Sequence, residues 1–220
     1  DNVASKSVSL SVTNVDESAP TITSGDSATI TENTGVNQVI YTATSTDNGD
    51  VSDGVTYSLA EGSDSALAIN AATGEVLLLT SPDHESQSEY SFTVVATDAA
   101  GNESASQSVT LSVNDLDEVA ATVTSSDSAD AIDENSGAGK VVYTATADDS
   151  ADISGDFTFS LAAGSDDALS IDAQTGAVTL SDDPNFEAQE DYSFTVVVTD
   201  AAGNVSEGQS VSLSINNLDE

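Results

Sequence analysis

Tyr90-Ser-Phe-Thr-Val-Val95 sets aromatic and aliphatic side chains at alternate positions, and the run closes on Asp98-Ala-Ala-Gly-Asn102. Side chains of an extended strand point alternately to opposite faces, so this stretch reads as a half-buried β-strand entering a turn. The same signal returns at Tyr192 and at Asp200-Ala-Ala-Gly-Asn204. Glu32-Asn33 recurs as Glu134-Asn135 and Thr73-Gly74 as Thr175-Gly176, each pair 102 positions apart. Solenoid repeats run roughly 20 to 50 residues. A unit about twice that long is a β-domain that folds by itself, and the chain holds two copies.

Further strand signals surround that stretch. Val39–Thr44, Val55–Leu59, Glu75–Leu79 and Ser108–Val113 are short and rich in β-branched or aromatic residues. Adding Ala19–Thr23, Ala28–Thr31 and Ala66–Ile69 gives about seven strands per unit. Asp47-Asn-Gly-Asp50, Ala72-Thr-Gly74 and Ala100-Gly-Asn102 supply turns between them. No segment carries a helical period. Two sheets packed face to face are the expected all-β solution.

Acidic tetrads mark the boundaries: Asn14-Val-Asp16-Glu17, Asp115-Leu-Asp117-Glu118 and Asn217-Leu-Asp219-Glu220 each follow an apolar last strand. The predicted bodies are 18–118 and 119–220. Residues 1–17 read as the last strand of a preceding repeat with its linker. The second copy carries one extra residue between Ala129 and Ile132.

Charge narrows the functions. Thirty-nine acidic residues face two basic ones, Lys6 and Lys140, for a net charge of −37. Such self-repulsion opposes a compact state. Salt, with a Debye length of about 8 Å, screens part of it, and bound divalent cations would offset more. Nucleic acid is excluded because nothing neutralises phosphates, and anionic membranes are disfavoured for the same reason. No signal peptide or apolar run of membrane-spanning length is present. There is no cysteine, hence no disulfide or thiolate chemistry. His84, the only histidine, reads as a solvated loop residue, and Phe186 replaces it in the second copy. No catalytic constellation emerges. The aromatics sit at strand positions as core, Phe186 being the one placed to be exposed, and there is no Trp to stack on a sugar.

Three acidic positions recur at strand ends: Glu32 and Glu134; Glu85 and Glu187, with Asp83 or Asn185 two residues earlier; Asp98 and Asp200. Hard cations such as calcium take six to eight oxygen ligands, and loops gathered at the ends of a sandwich are where such oxygens meet. Taken with the Ile69-Asn-Ala-Ala-Thr-Gly74 and Ile171-Asp-Ala-Gln-Thr-Gly176 turns, these motifs resemble the cadherin family in its bacterial cadherin-like form, over both units throughout. The resemblance implies tandem seven-stranded Greek-key β-sandwiches with up to three calcium ions per junction. It implies a junction of Glu32, Asp83 and Glu85 with linker residues Asp115, Asp117 and Glu118, and with Asp149 and Asp200 from the second body. An N-terminal half-site would use Asn14, Asp16, Glu17, Asp47 and Asp98. A C-terminal one would use Glu134, Asn185, Glu187, Asn217, Asp219 and Glu220.

The chain departs from the family pattern at Ser45 and Ala147, where a first Asp stands, at Asn185, and at Glu118-Val119. One or two ions per junction are therefore expected, with Asp148 able to compensate. What the resemblance implies is a non-enzymatic, monomeric, calcium-rigidified extender or adhesive segment of a large bacterial surface or secreted protein. Its partners would be calcium, neighbouring repeats, and another surface protein or polysaccharide. Two alternatives stay open: carbohydrate-binding modules of a secreted polysaccharide-degrading enzyme, and homophilic adhesion domains.

Overall fold

The computed structural model describes residues 1, 3–49, 51, 54–153 and 155–219. Asp50 of the first turn cluster and Glu220 of the last tetrad lie outside the described residues. The chain divides into two compact units, Asp1–Leu116 and Asp117–Glu220. That division falls inside the middle acidic tetrad.

The first unit contains β1 (Thr21–Ile22), β2 (Ser27–Thr31), β3 (Gln38–Thr42), β4 (Ser45–Thr46), β5 (Val55–Leu59), β6 (Leu67–Ile69), β7 (Glu75–Leu78), β8 (Glu89–Asp98) and β9 (Gln107–Asn114). One sheet runs β2-β9-β8-β5, the other β3-β7-β6, and β1 pairs with β4 apart from both. The two sheets hold seven strands, the expected number, from every predicted segment but Ala19–Thr23. Of Ala19–Thr23, Thr21 and Ile22 form β1, registered against Thr46 and Ser45, and the Thr23 N–H donates to the Thr44 carbonyl at 2.8 Å.

Period-two burial in β8 is unbroken: Tyr90, Phe92, Val94, Ala96 and Asp98 all point inward. Across the sandwich, Ile40, Leu67, Val76 and Leu78 meet Tyr90, Phe92, Val94, Val109, Leu111 and Val113. Tyr41 sets its ring edge-on to Phe92 at 5.5 Å. Strict alternation would place Ile40 and Tyr41 on opposite faces. The ladder to β7 slips between Val39 and Tyr41, and this bulge lets both pack inward while Val39 stays exposed. The same slip occurs between Val141 and Tyr143. Gly74 is forced by its turn: it adopts φ of +72°, and a Cβ there would lie 2.4 Å from the Ala43 carbonyl oxygen.

The second unit repeats the plan with β10 (Thr122–Val123), β11 (Ile132–Asp133), β12 (Lys140–Thr144), β13 (Ala147–Asp148), β14 (Phe157–Leu161), β15 (Leu169–Ile171), β16 (Ala177–Leu180), β17 (Asp191–Asp200) and β18 (Gln209–Asn216). Its sheets are β11-β18-β17-β14 and β12-β16-β15, with β10 paired to β13. One element differs. β2 runs parallel to β9 over five registered residues, whereas β11 meets β18 over two, Ile132 with Ile215 and Asp133 with Asn216. The extra residue between Ala129 and Ile132 breaks the ladder, leaving only an isolated bridge from Ser128 to Ser212. Phe186 is half-buried and packs on the core, so the reading of it as an exposed aromatic is corrected.

The described part of residues 1–13 forms no strand. Val3, Val8, Leu10 and Val12 are 85–90% exposed.

Candidate metal centres

At one end of each unit a buried glutamate acts as a clasp. Glu32 follows β2 and is 2% exposed. Its Oε1 accepts the Leu116 N–H at 2.6 Å and its Oε2 the His84 N–H at 2.7 Å. Asn33, in the left-handed region at φ of 59°, turns the chain away while its N–H donates to the Pro82 carbonyl. Glu134 repeats this with the Leu218 N–H at 2.6 Å and the Phe186 N–H at 3.1 Å. The His84 N–H, and then that of Leu116, hold the Glu32 carboxyl below its ordinary value against the pull of desolvation. Glu134 is held down likewise by the Leu218 and Phe186 N–H groups. Each glutamate therefore pins a loop and a linker to the end of its sheet and stays ionised.

Around Glu32, the His84 Nδ1 stands 3.5 Å from Glu85 Oε1 and 3.3 Å from Asp115 Oδ2. His84 is half-buried among acids, which corrects its reading as a solvated loop residue. Asp115 Oδ1 is buried and has no hydrogen-bond partner. Asp83 is exposed, and its Oδ1 accepts the Ser86 N–H at 2.8 Å. Asn185 does the same for Ala188 at 2.8 Å. That position needs an acceptor for a turn amide, which either side chain supplies. Asn14, Glu17, Asp83, Glu187 and Asp219 are exposed and join none of the three-residue acid groupings within the described residues. The Asn217 side-chain amide approaches Glu187 Oε1 at 3.5 Å.

At the opposite end three aspartates gather in each unit: Asp16, Asp47 and Asp98 in the first, Asp117, Asp149 and Asp200 in the second. Within each set, one carboxylate oxygen per residue lies within 4.8 Å of the others. Asp98 ends β8 and is 6% exposed; its Oδ1 accepts from Gly101 N–H at 2.7 Å and Asn102 N–H at 2.8 Å. The Asn102 side chain donates to Asp98 Oδ2 at 2.8 Å and to the Asp16 carbonyl at 3.1 Å. Asp200 Oδ1 is held identically by Gly203 and Asn204. The Asn204 side chain instead turns to the Asp117 carbonyl at 2.9 Å. Asp200 Oδ2 is left buried without a partner, as are both Asp47 oxygens. Asp149, 8% exposed, accepts the Gly155 N–H on Oδ2 at 3.1 Å.

Desolvation, then Asp16 and Asp98, pushes the Asp47 carboxyl above its ordinary value. Desolvation, then Asp200, does the same to Asp117, with Asp149 and Asp152 adding to it. Burial also pushes on Asp98 and Asp200, but donors from Asn102 and Gly101, and from Asn204 and Gly203, outweigh it and hold both below the usual range. Crowded anions with buried unpartnered oxygens fit a hard divalent cation and little else, because a neutral ligand would not relieve the repulsion. Asn102 and Asn204 were read only as turn residues, yet their carboxamides tie the linkers to the acid sets. Their recurrence 102 positions apart was the available signal. Asp152, whose Oδ2 accepts the Glu118 N–H at 3.2 Å, carried no such signal. Asp148 stays exposed on β13.

These shifts give the metal-free protein a pH profile of defined sign. Asp47 and Asp117 are raised above 3.8, so their ionisation weakens the fold as pH rises through their folded values. Glu32 and Glu134 lie below 4.5, Asp98 and Asp200 below 3.8; the stability they add is lost as pH falls through those lower values. In chelator, the melting temperature is expected to peak at mildly acidic pH, about 4 to 5, and to fall on both sides. Scanning calorimetry from pH 3 to 8 checks this, and a metal-free optimum at pH 7 or above overturns it.

Residues 26–114 and 130–216 each match the cadherin domain, and the chain belongs to that family. Cadherin domains are extracellular, non-enzymatic adhesion modules that bind calcium. Cadherin-23 of Homo sapiens is 31% identical over 165 residues, covering 72% of this chain and 5% of that protein. Protocadherin Fat 4 of Mus musculus is 29% identical over 197 residues, covering 88% of this chain and 4% of that protein. The chain thus spans about one-twentieth of the length of the curated relatives it matches. Among solved structures, human Protocadherin-24 EC1-2 aligns with a TM-score of 0.70 at 19% identity, covering 91% of this chain and 99% of that one. Mouse Cadherin-23 EC22-24 gives 0.66 at 19% identity, covering 92% and 68%. These likenesses show the fold, two tandem all-β Greek-key sandwiches. No helix of the described residues is long and apolar enough to cross a membrane.

Proposed function

We propose that the two units are calcium-stiffened extender or adhesion repeats of a large cell-surface or secreted protein, of the bacterial adhesin kind. The observation that carries this reading is Asp200 Oδ2, buried without a hydrogen-bond partner beside Asp117 and Asp149. A cation there would take oxygens from the linker and from the body of the second unit. On the first unit, Glu85 and Asp115 offer oxygens beside the clasp formed by Glu32. The linker Asp115-Leu116-Asp117-Glu118 thereby carries ligands for both acid sets, and filling them removes its freedom to bend. Cations supply the positive charge; the chain holds the carboxylates apart, fixes their ionisation and presents them.

The net charge of −37 and near absence of Lys and Arg favour a salty, calcium-containing medium. A glycan-binding role finds less support, since Tyr90, Phe92, Tyr192 and Phe194 are buried in the cores. Titration calorimetry with calcium, and magnesium in parallel, tests the proposal. Saturable binding of about one to three calcium ions is expected, with dissociation constants of about 0.1 to 1 mM. At 100 times the dissociation constant each site adds about 2.7 kcal/mol to stability. No binding up to about 10 mM, well beyond that range, would sink the reading.

A further inference from the structure

Asn48-Gly49 is the one place in the sequence where glycine follows asparagine, and Ser150-Ala151 stand there in the second unit. An asparagine side chain can react with the backbone nitrogen of the next residue through a five-membered ring, and a Cβ on that residue obstructs the attack. Glycine has no Cβ and leaves the main chain freest to reach the attacking geometry. Both residues are exposed, in the loop that follows β4. Among the described residues neither the Asn48 carboxamide nor the Gly49 N–H has a hydrogen-bond partner. No bond has to break before the two groups meet. Space fixes the glycine: a Cβ there would lie 2.6 Å from Cβ and Oγ of Ser18, whose N–H donates to Asp16 Oδ1 at 3.0 Å. Packing thus keeps the labile pair beside the acid set of Asp16, Asp47 and Asp98.

We propose that Asn48 is a self-modification site, converting spontaneously with loss of ammonia to aspartyl and isoaspartyl residues. The Gly49 nitrogen attacks Asn48 Cγ; an N–Cγ bond forms, the Cγ–Nδ2 bond breaks, and the Gly49 proton leaves with the amide nitrogen as ammonia. Water then opens the resulting succinimide, and no oxidant or reductant takes part. Breaking the bond to Cγ gives aspartate in the ordinary main chain. Breaking the bond to the Asn48 carbonyl carbon gives isoaspartate, whose main chain runs through Cβ and Cγ and is longer by one methylene. Either product adds a negative charge next to Asp47, whose two oxygens are already buried without partners. The first acid set therefore changes with age, while the second, with Ser150 and Ala151, has no such chemistry. The inference goes beyond the cation reading and does not depend on it.

The test incubates the folded 220-residue chain in mildly alkaline buffer at body temperature and follows each asparagine by digestion and mass spectrometry. Conversion reads as a gain of one mass unit, with the aspartyl and isoaspartyl peptides separated by chromatography. Asn102 and Asn204 are the internal comparison, because their carboxamides are held by the Asp16 and Asp117 carbonyls and glutamate and valine follow them. Asn48 is expected to convert at least about tenfold faster than either, a barrier lower by about 1.4 kcal/mol. Asn48→Gln needs a six-membered ring for the same attack and should abolish conversion at that position. Comparable rates at the three asparagines overturn the proposal, as does an Asn48 that converts only once the chain is unfolded in denaturant.

Discussion

Asp117→Asn is expected to weaken calcium binding at its acid set by about 100-fold or more, while leaving the metal-free protein as stable as before or more so. Changes to residues that merely orient a metal's ligands cost about 10- to 100-fold in affinity, so losing a charged ligand costs at least the upper end. The metal-free half of the prediction follows from the sign of the Asp117 shift. Desolvation and Asp200 already disfavour its charge in the folded state, so a neutral amide of the same shape relieves repulsion. Its oxygen can keep the contact with the Val119 N–H at 3.3 Å. Melting curves of variant and parent should therefore cross: variant at or above parent in chelator, below it in saturating calcium. Asp182→Asn removes one exposed charge outside the acid sets and controls for net charge. Equal loss in both media would mean that Asp117 is a structural residue and not a ligand.

Leu111→Ala is expected to unfold the first unit selectively. Leu111 is 0% exposed at the centre of β9, registered against Tyr90 and Ala28. Truncating a fully buried leucine costs about 3 to 5 kcal/mol through lost transfer energy and the cavity left behind. A domain of this size has about 5 to 15 kcal/mol in total. The first unit's melting temperature should fall by roughly 15 °C or more. The second unit, with its own core around Leu213 and Val196, should keep its transition in the same scan. A shift of both transitions by equal amounts in chelator would refute independent cores.

How far the sequence carries can be judged residue by residue. Tyr90–Val95 announced its strand because alternate burial is imposed by backbone geometry alone. Pairing was less visible: nothing in Ser27–Thr31 marks it as the parallel neighbour of β9, since that partner lies some eighty residues away. The bulge at Ile40 was hidden because it contradicts the alternation used to find the strand. At the site, recurrence singled out Glu32, Asp98 and their copies. Recurrence could not separate a ligand from a cap, and Asp83 proves to hold a turn amide. Nor could it show that His84 sits between two carboxylates, because folding and not spacing brings Asp115 there.

The unequal ladders beside the last strands bear on tension. Because β2 and β9 run parallel, pulling on the start of one and the end of the other slides them past each other and loads five residue pairs together. In the second unit the same pull meets two pairs and one isolated bridge. Resistance to force is set by the unfolding rate, and fewer bonds loaded in shear present a lower barrier. A stretched chain is therefore expected to yield in its second unit first, where the single residue inserted near Ala129 leaves the shorter ladder.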